Sequence, residues 1–207
     1  MTRKQQKPKK IIYLSIDGEF DGPIPVDYSM LSFGVGAFDG DTGNLVDTFE
    51  ANMYRLPNAK ECPRTMEWWA KQPEAWEACH KDQQDPREAM LKYVTWQTKL
   101  IDDHKAKLCY IGYPVTVDFM WIHWYSMHFT GQDRAGFAGA DIKTYASALL
   151  KKHHKKSTKR AMPKEWFSGG KHTHKAIDDA IEQGHLAMNI LKKIGIIETV
   201  TEYPQLF

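Results

Sequence analysis

The sequence predicts an α/β fold in which helices pack on a mixed β-sheet. Apolar residues alternate with polar ones through residues 12–16, which is the two-residue period of a strand. Residues 28–38 and 45–53 are predicted to be two further strands, and the turn-forming cluster at 39–43 joins them. We therefore expect the first three strands to form an antiparallel meander, followed by a region that is mainly helical.

Two helices are predicted between the third strand and a fourth. Residues 63–78 form the first, with a proline at the start and bulky apolar residues on one side. Asp85 is a typical N-cap for the second, and Pro86 suits its first helical position. Residues 107–112 then form a short strand.

Three helices are expected in the remaining chain. Thr116 and Asp141 are the predicted N-caps of the first two. Residues 151–173 are predicted to form a loop, because they are strongly basic and contain proline and a Gly-Gly pair. His174 or Lys175 begins the last helix, which ends near residue 193. The order of strands and helices is typical of one layered α/β domain.

The composition indicates a globular chain with an uneven charge. The 207 residues are 42% hydrophobic, which excludes a disordered chain and suits a single domain. The formal net charge is only +2, yet residues 1–10 contribute +5 and residues 151–175 contribute +8. The rest of the chain is therefore acidic. We predict a disordered basic tail over residues 1–10 and a single domain over residues 11–207.

Cysteine usage and hydropathy indicate the compartment. Cys62, Cys79 and Cys109 are far apart and form no C-x-x-C pair, which argues against a disulfide framework or a thiolate zinc site. The basic start resembles a signal peptide, but its apolar run is short and ends at Asp17. No stretch is long enough for a membrane span. We expect a cytoplasmic protein (in the host cytoplasm if the chain is viral or phage-encoded) with no membrane partner.

Two carboxylates at the end of the first strand form the first candidate site. Asp17 and Glu19 are two residues apart, and a strand directs such residues to the same face. Like charges so placed repel unless a cation compensates them or one is protonated. Mg²⁺ and Mn²⁺ prefer such oxygen ligands. A solvent-exposed pair at a strand end is the alternative.

Asp118, His174 and Asp179 complete the set of chemically informative residues. Asp118 lies in the first turn of a predicted helix among apolar neighbours, although an acid there can simply complement the helix dipole. His174 and Asp179 are five residues apart, or about 140° on a regular helix. They can converge only if His174 lies at or before the helix start. Asp178 would then face another side.

Together these segments resemble the DEDDh group of 3′–5′ exonucleases, which includes proofreading exonucleases, RNase T and oligoribonuclease. The resemblance depends on Asp17-Gly18-Glu19-Phe20, on Asp118 within Tyr-Pro-Val-Thr-Val-Asp-Phe, and on His174-Lys-Ala-Ile-Asp-Asp179-Ala. The glycine between the first two acids departs from the commonest pattern, where a larger residue is usual. Residues 65–72 are similar to a smaller exoribonuclease branch known from mycobacteria and phages.

The resemblance implies both fold and chemistry. It implies a ribonuclease H-like, mixed five-stranded sheet flanked by helices, and hydrolysis of single-stranded nucleic acid from the 3′ end to nucleoside 5′-monophosphates, with RNA favoured over DNA. Two Mg²⁺ or Mn²⁺ ions would be held by four acids, and His174 would be the general base. The implied metal ligands are Asp17, Glu19, Asp118 and Asp179.

Substrate contacts are expected beside the first motif and in the basic loop. Gly18 and Phe20 are candidates for the 3′-terminal nucleotide, although an aromatic at a strand end is as often part of the core. In the loop, the candidates are Lys155, Lys156, Arg160 and Trp166, which could contact phosphates or bases. A solvated loop without substrate contact is the alternative. Related enzymes are often homodimers, and a homodimer is what the resemblance implies here.

Other functions stay open at this point. A metal site built from His153, His154 and His172 is disfavoured, because the sequence offers no cysteine partner or i, i+4 spacing. A catalytically silent nucleic-acid-binding protein on the same fold would not need all four acids and His174. A metal hydrolase of small phosphodiesters is the third reading. Mg²⁺-dependent release of mononucleotides would distinguish the exonuclease from both.

Overall fold

A computed structural model describes residues 10–169 and 175–198 and shows the expected α/β fold. In these residues, five strands form one mixed sheet in the order β3-β2-β1-β4-β5. The strands are β1 (Ile11–Phe20), β2 (Met30–Asp39), β3 (Leu45–Asn52), β4 (Lys107–Gly112) and β5 (Gly139–Asp141). The helices are α1 (Pro63–Trp69), α2 (Pro73–Cys79), α3 (Pro86–His104), α4 (Val115–Thr130), α5 (Ile142–Leu150) and α6 (Ala176–Lys193).

The sheet combines the predicted antiparallel meander with two parallel strands. β1 and β2 pair antiparallel with Asp17 opposite Gly34, and β2 pairs antiparallel with β3. β4 runs parallel to β1, and β5 runs parallel to β4. The three-residue β5 carries too few residues to show a strand period, so the strand-by-strand prediction missed it. The fold class, a mixed five-stranded sheet flanked by helices, is confirmed.

Each face of the sheet carries its own hydrophobic cluster. Alternate residues of β1, from Ile12 to Ile16, pack with α3 and α4, where Tyr93 and Trp121 are fully buried. The other cluster contains α5, α6 and part of the chain between them. β2 is buried along its whole length, because it lies between two strands and is covered by helices.

Two helix predictions are corrected by the structure. Residues 63–78 form two helices rather than one, because Pro73 lacks an amide hydrogen and disfavours helical backbone at Gln72. Helix α4 begins at Val115 after Pro114, without a side-chain cap, so Thr116 is a helical residue and not the N-cap. The N-caps Asp85 and Asp141 are confirmed, since Asp85 accepts hydrogen bonds from two amides of the helix that it opens and Asp141 from one.

Residues 151–169, called here the basic segment, are more ordered than a plain loop. They contain three short 3-10 turns. Lys10 also belongs to the fold rather than to the predicted tail, because its ammonium lies 2.6 Å from a carboxylate oxygen of Asp39. Residues 1–9 lie outside the described part. Within that part, no helix is both long and apolar enough to cross a bilayer.

Candidate active site

Three carboxylates converge where β1 meets the first turn of α6. Carboxylate oxygens of Asp17, Glu19 and Asp179 all lie within 4.8 Å of one another. Asp17 and Glu19 come from one side of β1, as the strand period predicts, and Asp179 comes from the opposite end of the chain. Asp179 is only 5% exposed, whereas the neighbouring Asp178 is exposed. The helix therefore directs only one of its two adjacent acids into this cluster.

Asp118 is joined to the same site by a backbone hydrogen bond. The amide of Gly18 donates to Asp118 Oδ1 at 3.1 Å, although the two residues are 100 positions apart. This bond brings the first turn of α4 to the segment between Asp17 and Glu19. The structure thus places all four sequence-predicted acids around one region.

Gln183 is a buried residue that the sequence prediction missed. It lies one turn after Asp179 on α6 and is 3% exposed. Its Nε2 donates to the carbonyl oxygen of Ile16 at 2.6 Å and lies 3.5 Å from Asp17 Oδ1. Its Oε1 accepts a hydrogen bond from the amide of Tyr113 at 3.0 Å. The i, i+4 spacing from Asp179 was the available signal, since it places both side chains on one helix face.

The acids are held in an environment that resists multiple negative charges. The pKa of Asp17 is raised well above its ordinary value by burial and by the charges of Asp118, Glu19 and Asp179, while Lys159 lowers it. Burial and two neighbouring acids raise the pKa of Glu19 to about 8. Burial also raises the pKa of Asp118 to about 7, against the hydrogen bond from Gly18.

This donor set fits a divalent cation. Several carboxylates from different elements point into one small space, where full ionisation without a counter-charge is unfavourable. Hard divalent cations take carboxylate oxygens as ligands and would supply that charge. Asp17, Glu19 and Asp179 could hold an ion directly, and Asp118 lies next to them. His174 lies outside the described residues.

The predicted nucleotide contacts Gly18 and Phe20 lie against aromatic side chains. The ring of Phe20 stacks on Trp121 with centroids 4.4 Å apart. The backbone carbonyl of Phe20 accepts a hydrogen bond from the Trp69 indole at 2.9 Å. Phe20 is nevertheless only half-buried. A Cβ at Gly18 would lie 2.6 Å from the end of the Phe20 ring, so this glycine allows the ring to fold back over the strand.

The predicted contacts of the basic segment differ in accessibility. Lys155, Lys156 and Arg160 are exposed. Trp166 is 5% exposed and packs in the hydrophobic cluster with α6, and its carbonyl accepts a hydrogen bond from Asn189. The expected base contact of Trp166 is corrected accordingly: the buried ring fastens the basic segment to α6 and offers no open face for stacking.

Solved structures of exonucleases share this fold. The nuclease domain of 3′hExo, a DEDDh family member solved with rAMP, matches with a TM-score of 0.66 and 14% identity, covering 91% of this chain and 94% of that domain. A 3′-exonuclease solved in recognition of a histone mRNA stem-loop matches with a TM-score of 0.63 and 12% identity, covering 89% of this chain and 64% of that one. At these identities the likeness shows the fold.

Sequence comparison adds the class and the family. An Escherichia coli protein, the 3′-5′ DNA exonuclease Cap18, is 29% identical over 137 residues, which are 65% of this chain and 67% of that protein. Fold, site and relatives together define a nuclease of the 3′–5′ exonuclease class. The chain belongs to the 3′-5′ exoribonuclease Rv2179c-like domain family, whose family model matches residues 13–191.

Proposed function

We propose that this protein is a DEDDh-type 3′–5′ exonuclease that hydrolyses single-stranded nucleic acid, with RNA favoured, to nucleoside 5′-monophosphates. The observation that carries this proposal is the convergence of Asp17, Glu19 and Asp179, with carboxylate oxygens within 4.8 Å of one another. Asp118 joins them through the Gly18 amide. A binding protein has no need for such a costly cluster of half-buried and buried acids.

Each residue of the site has a proposed role. The four acids hold two Mg²⁺ or Mn²⁺ ions, and such ions, when bound, stabilise negative charge on the phosphate and make water a better nucleophile. His174 is the proposed general base that takes the proton from the attacking water, because imidazole titrates near neutral pH. In the sequence it is two residues before Ala176, the first residue of the helix that carries Asp179, which supports this role.

The proposed substrate is single-stranded nucleic acid, with RNA favoured over DNA. The family is described as exoribonucleases, which supports RNA, whereas the Escherichia coli relative is described as a DNA exonuclease. Gly18 and the half-buried Phe20 are the proposed contacts of the 3′-terminal nucleotide. Three free thiols in the described residues agree with the proposed cytoplasmic location. A homodimer stays a prediction, which light scattering would test.

The decisive experiment uses 5′-labelled RNA and DNA strands of one sequence, with free and blocked 3′ ends, in the presence and absence of Mg²⁺. We expect Mg²⁺-dependent shortening from a free 3′ end, faster on RNA. Asp17→Ala and Asp179→Ala abolish turnover, and His174→Ala lowers it by about 10²-fold or more. Asp178→Ala is the matched control and keeps most of the activity, because Asp178 is exposed.

The same experiment distinguishes the competing functions. A silent binder would retain the labelled strand without shortening it. A hydrolase of small phosphodiesters would cleave a chromogenic phosphodiester but leave the strands intact. Shortening that continues on a blocked 3′ end would contradict exonuclease polarity, and full activity of Asp17→Ala would contradict the assigned site.

A further inference from the structure

The basic segment is fixed against the site at several points. The Tyr113 hydroxyl donates to the carbonyl oxygen of Ser157 at 3.1 Å, and Ser157 is fully buried. Met162 and Trp166 are each 5% exposed in the cluster formed with α6. Asn189 of α6 also donates to the carbonyl of Trp166 at 3.0 Å. The backbone between these anchors therefore has a defined position relative to α6.

Lys159 lies between these anchors and differs from the basic residues around it. Its side chain is 34% exposed, whereas those of Lys155, Lys156 and Arg160 are more open to solvent. Its Nζ lies 2.7 Å from Glu182 Oε2 and 5.8 Å from the centre of the Tyr113 ring. The amide of the same Tyr113 donates to Gln183 Oε1 at 3.0 Å, and Gln183 Nε2 lies 3.5 Å from Asp17 Oδ1, so the residue beside this ammonium is linked to the acidic site.

Glu182 presents an anionic oxygen to this ammonium, as a phosphate would. A carboxylate and a phosphodiester both offer anionic oxygens to an ammonium, which has three donors. Both side chains of the pair keep contact with solvent, at 34% and 18% exposure, so the pair can open without burying a charge. Glu182 also lies three residues after Asp179, on the helix that carries it into the site.

We propose that Lys159 is a phosphate-binding residue for the nucleic-acid strand and that Glu182 occupies it when substrate is absent. The arriving phosphodiester displaces the Glu182 carboxylate from the ammonium. Glu182 thus weakens substrate binding, while Lys159 strengthens it. The proposal rests on the proposed function, because it names a subsite for the strand that the acidic site would cleave.

The test measures binding apart from catalysis. A fluorescent single strand is titrated with the full chain in EDTA, where no divalent ion supports hydrolysis, and its anisotropy is followed at several salt concentrations. For Lys159→Met we expect about fivefold to tenfold weaker binding and a slope of log Kd against log salt that is smaller by about 0.7, the value for one phosphate contact on a single strand. For Glu182→Gln we expect about threefold tighter binding.

Opposite changes in affinity for Lys159→Met and Glu182→Gln distinguish this proposal from an ion pair that only stabilises the fold. If the pair only stabilised the fold, both variants would weaken binding together, and melting temperatures would fall in parallel. Glu165→Gln is the matched control, because it removes an exposed negative charge from the basic segment. An effect of Glu165→Gln equal to that of Glu182→Gln would show a general charge effect and overturn the proposal.

Failure of this proposal and failure of the proposed function are distinguishable. Wild-type protein that shortens strands with Mg²⁺, combined with unchanged affinity and salt slope in Lys159→Met, overturns the Lys159 subsite alone. Opposite shifts in the two variants, combined with no shortening by wild-type protein, support the binding subsite and overturn the exonuclease. Weaker binding in both variants overturns the exchange between Glu182 and phosphate.

Discussion

Gly34 lies so close to Ile177 that a Cβ on Gly34 would be 2.3 Å from the Ile177 backbone nitrogen. The nearest atoms are backbone atoms of the first turn of α6, which cannot move away as a flexible side chain can. Gly34 also stands opposite Asp17 in the β1–β2 ladder. The absence of a side chain at this one position lets α6 approach the sheet and bring Asp179 next to Asp17.

Gly34→Ala should therefore damage the site more than the fold. The added methyl must push the start of α6 away, which costs about 1–3 kcal/mol of unfolding free energy, as overpacking typically does. We expect a fall in kcat of about 10²-fold, because small displacements of catalytic groups are costly. Mg²⁺-dependent strand shortening and chemical denaturation measure the two effects.

Gly36→Ala is the control on the same strand. A Cβ there would meet the side chains of Phe38 and Leu45, at 2.8 Å and 3.4 Å, and these can adjust. It should lower stability but leave the folded enzyme active. Equal activity in Gly34→Ala and wild type would contradict the role assigned to this close approach.

Gln183 should act as a positioning residue for Asp17. Gln183→Leu removes the bonds to the Ile16 carbonyl and the Tyr113 amide, so the end of β1 and the start of α4 lose a common partner. We expect kcat to fall about tenfold to a hundredfold, and the Mg²⁺ concentration for half-maximal activity to rise, with KM for the strand little changed. Steady-state kinetics across a Mg²⁺ titration measures all three quantities.

Asn189→Leu provides the comparison for Gln183. It removes another side-chain amide from α6, but this amide donates its hydrogen bond to the carbonyl oxygen of Trp166 and not to a group beside the acidic site. A loss of stability without a change in Mg²⁺ dependence is expected. If both variants shift the Mg²⁺ dependence equally, Gln183 has no special relation to the acids.

Local sequence patterns were sufficient for part of this site. The two-residue strand period placed Asp17 and Glu19 on one face, and the structure confirms their convergence. Nothing in the local sequence places Gly34 beside Ile177 or Gln183 beside Ile16, because those approaches arise only when β2 and α6 pack. The resemblance to a family supplied the partnership of Asp179 with Asp17, which spacing alone would not have given.

The basic segment shows why composition can mislead. Its lysines, with the Gly-Gly pair that the sequence has at 169–170, indicate a loop, but Met162 and Trp166 are buried. Two apolar residues within a strongly charged stretch give too weak a periodic signal to predict docking. Similarly, the break between α1 and α2 depends on Pro73. The apolar spacing across residues 63–78 is continuous through this position, so it predicted one helix.

Trp166 should contribute to stability and not to base stacking. Trp166→Ala removes a large buried side chain and should lower the unfolding free energy by about 3–5 kcal/mol. Trp166→Leu keeps an apolar side chain but has no ring to stack, so the folded protein should bind a single strand with Kd within about twofold of wild type, less than the loss of a base-stacking contact would cause. A large loss of affinity in folded Trp166→Leu would show a direct contact of Trp166 with substrate.

The stability of the metal-free protein should decrease as pH rises toward 8. Burial and neighbouring acids raise the pKa of Glu19 to about 8 from an ordinary value of 4.5, so between these values the folded state binds more protons than the unfolded state. Unfolding free energy then falls with increasing pH across this interval. The proposed Mg²⁺ would bind only the ionised acids, so its stabilising effect should grow with pH.

Melting temperatures in EDTA and in Mg²⁺ between pH 5 and pH 8.5 test this expectation. Glu19→Gln separates the acid site from the titration of histidines elsewhere, because it removes one raised pKa and leaves them unchanged. The variant should lose part of the decline in EDTA and most of the Mg²⁺-induced rise at pH 8, which should be about 5 °C or more in wild type. A Mg²⁺ effect that is equal at pH 5 and pH 8, or equal in wild type and Glu19→Gln, would show that the ion binds somewhere other than this cluster of acids.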